Sequence, residues 1–337
     1  MTIKQPTTSV LADVEAVLQS GAADRIVQEF RFDTQAQNQL LFFIKPEVFL
    51  LPTLDQTLDV CRLMIGTFEE LGAVTSGAYM ISGATLEQHR TMDAHYGYIN
   101  TMSRRASELL TDQDRSEMTK SLGGIQGPVL GGHEVLARHP GIGAQALNQT
   151  WSQKKSLKLR SGFYFQAFDV EGQEIVMVNG FHPSQLEHFT AGGRKLLLIL
   201  LNSDLPWRVL RSRMLGDTFP EKAHPASIRG TLYRNARRYG YEAVNITNNS
   251  AHLSAGPFEA AFECQNFLSK LASSFSVSSL RLATHFKTAG LSPAALERAI
   301  TNPSARIGAD PSATPLFEVT EECDSIAAVA AYRAFYA

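Results

Sequence analysis

The chain has 337 residues, 44% of them hydrophobic, enough to bury the core of one large domain or two small ones. Lys plus Arg total 31 against 33 Asp plus Glu, and the net charge of −2 excludes a global pull toward nucleic acid or an anionic membrane. Cys61, Cys264 and Cys323 have a spacing that fits neither a disulfide framework nor a zinc site, so they read as reduced thiols of a cytoplasmic protein. Asp13 and Glu15 interrupt the apolar N-terminal stretch, which argues against a signal peptide, and the run LLLILL (196–201) is too short to cross a bilayer.

In chain order, TSVLADVEAVLQS (8–20) has helical spacing after a Thr/Ser cap. NQLLFFIKP (38–46) predicts a buried strand ending at Lys45 and Pro46. A helix is predicted over 53–72, with Leu54, Leu58, Cys61, Met64, Ile65 and Phe68 on one face and Gly72 as its stop. AVTSGAYMIS (73–82) predicts a second strand, and 85–110 a helix broken near Gly97. The pattern weakens over 111–158, where glycines cluster at 123–143 with no Gly-Lys-Ser/Thr ending, so they form no phosphate-binding P-loop. A hairpin follows, GFYFQAF (162–168) and EIVMVNGF (174–181), then a short helix to Gly193 and a buried strand at 195–201. A helix at 205–215, a long polar loop to Gly230, a strand at 241–247 and a helix at 256–275 complete the main pattern. The tail predicts a helix near 292–301 and an apolar segment at 324–336. Strands alternating with helices that return to one sheet predict an α/β sandwich.

Chemistry points first to His252. A neutral imidazole is a good nucleophile near neutral pH, able to attack phosphorus and hold a phosphoryl group, provided an acceptor orients its other nitrogen. Glu263, eleven residues on, can fold back beside it from the following helix. The plainer alternative is a histidine that packs or caps near a helix start. Lys45 stands at a strand end, where a cation reaches a phosphate. Arg211, Arg213, Thr218 and Arg229 fall in one segment, and phosphoryl transfer needs cations and hydroxyls around non-bridging oxygens. His133 and His139 are spaced 133 to 139, which misses the face a helical zinc pair needs.

Together these segments resemble the nucleoside diphosphate kinase family. FFIKPEV is similar to the family's first strand with its phosphate-contacting lysine, here Lys45. EQHRTMDAHYGY resembles the helix of the active-site tyrosine, here Tyr96, and GFHPSQLEHF the segment of the base-stacking phenylalanine, here Phe181. RMLGDTFPEKAHPASIRG matches most closely, with Thr218 and Arg229 as phosphate ligands. NSAHLS matches Asn-x-x-His-x-Ser, giving Asn249 near the ribose, His252 as the phosphorylated nucleophile and Ser254 beside it, with Glu263 where the histidine-orienting glutamate belongs. The resemblance implies a ferredoxin-like α+β sandwich with an antiparallel sheet and an inserted subdomain. It also implies Mg²⁺ with ATP or another nucleoside triphosphate, ping-pong transfer through phosphohistidine, and homo-oligomers.

Departures are specific. Ser212 aligns with a family arginine, for which Arg211 or Arg213 are the nearby candidates. Leu253 replaces the glycine after the nucleophile, and Ala255 the acidic residue after Ser254. The expected organisation is an N-terminal extension (1–37), a kinase-like domain (38–275) with an insertion at about 105–178, and a C-terminal extension (276–337). The expectation is a phosphotransferase acting on a nucleoside diphosphate or a specialised small-molecule acceptor, without membrane or nucleic-acid partners. A degenerate nucleotide-binding or scaffolding module is the runner-up, and it needs phosphate ligands but no nucleophile.

Overall fold

The computed structural model describes residues 7–124, 127–272, 275–307 and 313–337. Parts of four sequence readings lie outside them: the first six residues, 125–126 of the glycine cluster, 273–274 of the predicted 256–275 helix, and 308–312 of the tail. The chain forms two compact units, one from Met1–Thr85 with Gly193–Ala337 and one from Leu86–Gly192. The second unit thus starts before and ends after the insertion expected at about 105–178.

The strands are β1 (Arg25–Gln28), β2 (Asn38–Ile44), β3 (Val74–Ser82), β4 (Val129–Gly131), β5 (Leu157–Arg160), β6 (Phe163–Val170), β7 (Gln173–Val178), β8 (Lys195–Ser203), β9 (Ala251–Leu253), β10 (Ser304–Arg306) and β11 (Ala313–Pro315). In the first unit, β1-β3-β8-β2-β9 make one sheet in which every described pairing is antiparallel. The path β2, helix, β3, β8, helices, β9 with spatial order β3-β8-β2-β9 is the split β-α-β of a ferredoxin-like α+β fold.

The central strand β2 is buried along its whole length, as its continuous apolar run requires. Alternation sends Leu40, Phe42 and Ile44 into the main core, with Val60, Cys61, Met64 and Phe68 of the helix Leu54–Glu70. That helix starts where Thr53 Oγ1 accepts the Gln56 N–H at 3.2 Å. The same alternation on β9 puts Ala251 and Leu253 into this core and turns His252 to the opposite face.

Three sequence readings are corrected here. The predicted strand at 241–247 is a turn, because Asn245 Oδ1 accepts the N–H groups of Thr247 and Asn248 at 3.0 Å each and so draws the backbone away from a ladder. The edge strand forms later, at β9. The polar loop to Gly230 instead ends in a helix, Ile228–Arg234, capped by Ser227 Oγ on the Gly230 N–H at 3.2 Å. Within 205–215 only Trp207–Val209 is α-helical; Leu210–Leu215 is a wider π turn, closed by the Gly216 N–H on the Arg211 carbonyl at 2.9 Å. Gly216 has φ +92°, and a Cβ there would meet Ser227 Oγ at 2.4 Å, so glycine alone fits.

The C-terminal stretch belongs to this unit. Asp324 Oδ1 accepts the Trp207 N–H at 2.7 Å and Asn38 Nδ2 at 3.1 Å, while Asn38 Oδ1 accepts the Ser325 N–H and hydroxyl at 2.9 Å. Helix Ser325–Phe335 then buries Tyr332 against Phe258 and Phe286.

The second unit is built on a separate sheet, β4-β7-β6-β5, with β4 parallel to β7 and the other pairs antiparallel. The β6–β7 hairpin turns at Glu171 and Gly172, both at positive φ (53° and 82°), as a tight two-residue turn demands. The helical stretch 85–110 breaks at Arg90 (φ +52°) as well as at Gly97. No helix among the described residues is long and apolar enough to cross a membrane.

Candidate active site

β9 and the helix Pro257–Leu268 set the geometry of the histidine. The register pairs His252 with Phe43, and their rings stack at 4.4 Å and 18°. His252 Nε2 lies 2.6 Å from Glu263 Oε1, and Ser254 Oγ donates to the second carboxylate oxygen, Oε2. Ser254 is fixed in turn, its Oγ accepting the Leu41 N–H at 3.2 Å. Glu263 is wholly buried and His252 is 22% exposed. Burial, then the charges of Lys45, Arg211 and Arg229, hold the imidazole well below its usual pKa, so it is neutral at pH 7. A carboxylate only accepts, so Nε2 bears the ring hydrogen and Nδ1 the lone pair.

The end of β2 meets the loop before β9. Lys45 Nζ donates to Asn249 Oδ1 at 2.6 Å, and the Lys45 N–H to the Ser250 carbonyl at 2.9 Å. Burial lowers the Lys45 pKa to about 8, with Glu47 opposing and Arg229 assisting. Ser250 adopts φ +67°, a conformation costly for a serine, and two side chains hold it there. Its N–H donates to Glu47 Oε1 at 2.8 Å and its hydroxyl to Tyr241 Oη at 2.8 Å.

Two arginines brace β9. Arg229, buried, donates to the Gly216 carbonyl at 3.2 Å and the Ala251 carbonyl at 2.9 Å, and burial lowers its pKa to about 9. Arg211 donates to the Leu253 carbonyl at 2.9 Å. Arg213 points elsewhere, to His224 Nε2. Arg211, Arg213, Thr218, Lys222, His224 and Arg234 share the wall of a cavity of about 800 Å³, on which Ser212 also opens.

The first unit therefore gathers Lys45, Asn249, His252, Ser254, Glu263, Arg211 and Arg229 around β9, with Arg213 and Thr218 on the cavity beside Arg211. Tyr96 and Phe181 belong to the second unit. Tyr96 lies edge-on to His182 at 5.4 Å and tilted against Phe189 at 6.1 Å. Phe181 packs on Trp151 at 5.8 Å and Tyr164 at 6.1 Å, beside the core of that unit. Sequence reasoning missed Glu47, Tyr241 and Glu259. Glu47 had a signal, an acid two residues after Lys45 inside an apolar run, and so had Glu259, one helical turn before Glu263.

The fold and the site define a ferredoxin-like unit carrying a carboxylate-oriented histidine on an edge strand, flanked by buried cations. No family model matches the chain, and no curated protein matches it. Among solved structures it is similar to the nucleoside diphosphate kinase of Encephalitozoon cuniculi, in its apo cubic form, at 12% identity and a TM-score of 0.35 over 71% of this chain and 95% of that one. It is also similar to the Borrelia burgdorferi nucleoside-diphosphate kinase with bound vanadate and ADP (15% identity, TM-score 0.33, 68% of this chain and 86% of that one). The NDP kinase of Pyrobaculum aerophilum gives 14% identity and a TM-score of 0.33 over 68% of this chain and 94% of that one.

Proposed function

We propose that this chain is a nucleotide phosphotransferase of the nucleoside diphosphate kinase type. It moves the γ-phosphoryl of ATP, or of another nucleoside triphosphate, through phosphohistidine at His252 to a nucleoside diphosphate or a specialised small-molecule acceptor. Mg²⁺ enters with the nucleotide as part of the substrate. One observation carries the reading: Glu263 holds Nε2 of a neutral imidazole at 2.6 Å.

In this scheme Nδ1 attacks the γ-phosphorus. The Nδ1–P bond forms, the bond to the β,γ-bridging oxygen breaks, and its electron pair leaves with the nucleoside diphosphate. The ring becomes cationic, and Glu263 stabilises that charge where no water competes. Lys45 and Arg211 offset negative charge on the phosphates, and Asn249 holds the Lys45 ammonium in place. An acceptor oxygen then attacks the phosphohistidine, the N–P bond breaks, and Nδ1 recovers its electron pair. Phe43, stacked on His252 at 4.4 Å, fixes the plane of the ring.

The test is purified chain with Mg²⁺ and γ-labelled ATP, no acceptor, and an alkaline gel. Acid-labile, base-stable label that disappears in His252→Ala supports the scheme, and a chase with GDP, UDP and metabolite pools then finds the acceptor. An unlabelled wild-type chain sinks the covalent route.

A further inference from the structure

Helix Pro257–Leu268 brings a second acid to the site. Glu259 and Glu263 are four residues apart, hence on one helical face. Glu259 Oε2 accepts the Ala255 N–H, and Ala255 directly follows Ser254, whose hydroxyl is on Glu263. The two carboxylates thus grip adjacent residues of the segment that leads out of β9. The charged groups facing Glu259 are Glu263 on its own helix, Arg211 from the π turn and Glu321 from the C-terminal stretch.

Two carboxylates on one helical face, gripping adjacent residues and shielded from water, do not both ionise at low cost. Glu263 has an imidazole N–H and a serine hydroxyl to bind its charge. Glu259 has the Ala255 N–H and the charge of Arg211, so the proton rests on Glu259. Burial, then the charge of Glu263, pushes Glu259 up to about 8.

We propose that Glu259 is a positioning residue for His252: as a neutral acid it leaves Glu263 the single anion at the imidazole, and its ionisation adds a second negative charge that repels the arriving phosphates. The proposal rests on the phosphohistidine reading, but its first readout needs no catalysis. Lys45 loses its proton in the same range, so the spectroscopic comparison is made in a Lys45→Met background. Full-length chains with ¹⁵N-labelled histidine are titrated from pH 6 to 10, with and without Glu259→Gln. The expected result is a step in the His252 ring nitrogens with an alkaline midpoint, present with Glu259 and absent with Gln. A step that survives Glu259→Gln, or no step in either chain, overturns the proposal.

If Glu259→Gln does not fold, carboxyl ¹³C shifts of the unsubstituted chain report the same event. A glutamate with its midpoint above about pH 7 supports the proposal, and every glutamate titrating below about pH 5.5 sinks it. A second arm follows His252 labelling with Lys45 intact. At pH 9 the Glu259→Gln chain is expected to label about tenfold faster than wild type, the ratio for a group one unit above its midpoint. Equal rates overturn the functional half. Absence of label in both chains is the failure of the phosphohistidine scheme, while the nitrogen titration still decides the role of Glu259.

Discussion

Lys45 Nζ and Asn249 Oδ1 meet at 2.6 Å, joining the end of the central strand to the loop that delivers the histidine. The ammonium is held where burial opposes its charge, so its pKa falls from 10.5 to about 8. The sign follows from proton counts. Between about pH 8 and 10.5 the unfolded chain keeps this proton and the folded chain sheds it, so stability rises with pH in that window and is lost as pH falls through 8. Urea unfolding at pH 7 and pH 10 is expected to show a wild-type gain that Lys45→Met lacks. A bound triphosphate supplies the missing counter-charge and flattens that slope. Calorimetry is expected to show triphosphate affinity falling at least tenfold in Lys45→Met, and equal affinity in the two chains would remove Lys45 from the phosphate site.

Glu263 accepts from both His252 and Ser254 and is wholly buried, so its charge acts at short range without water. Glu263→Gln keeps an acceptor for Nε2–H and loses the charge. The phosphoimidazolium then forms without a counter-ion, and labelling of His252 is expected to slow by roughly 10²-fold or more, as for loss of a positioned acid–base partner. Circular dichroism and nucleotide affinity are expected to stay near wild type. A change below threefold in single-turnover labelling would mean that Glu263 only holds the fold.

Much of this arrangement is legible in the sequence. The continuous apolar run of β2 marks a strand buried on both faces, and Lys45 stands where that run stops. The Asn249–His252–Ser254 spacing crosses a turn into an edge strand, and Glu263 lies on the helix that follows, whose start Pro257 marks. Short elements were not legible: β4, β5 and β9 have three or four residues each, too few for a period to register. The 241–247 segment reads as a strand because nothing in its apolar spacing reveals that Asn245 captures the backbone. Nor does a sequence show which arginine meets a carbonyl. The π turn of Leu210–Leu215 shifts the helical phase, so Arg211 rather than Arg213 reaches β9.

Asp324 is one anchor of the C-terminal stretch, beside the Ser325 bonds to Asn38 Oδ1. Asp324 accepts the Trp207 N–H and Asn38 Nδ2, and truncating it leaves two part-buried donors without this acceptor. Asp324→Ala is expected to cost about 1–3 kcal/mol in urea unfolding, the usual penalty for an unpaired buried polar group. Amide exchange is expected to rise first in the helix Ser325–Phe335, whose packing on Phe258 starts at this point. Unchanged stability would mean that water replaces Asp324 fully.

The histidine itself fixes the acid side of the pH dependence. Its imidazole is neutral in the fold because burial and three nearby cations disfavour a proton, and its pKa lies well below 6.5. Below pH 6.5 the unfolded chain binds a proton at this position and the folded chain does not. Its contribution to stability is therefore present above 6.5 and lost as pH falls. Replacing the ring by a side chain that never titrates removes this slope. His252→Gln is expected to be relatively more stable, against wild type, at pH 5 than at pH 7.5. Because the nucleophile stays unprotonated, the labelling rate is expected to hold flat from pH 7.5 to below pH 6. A rate that halves near pH 6.5, where an exposed histidine titrates, would show that burial and the cations of Lys45, Arg211 and Arg229 do not keep His252 neutral.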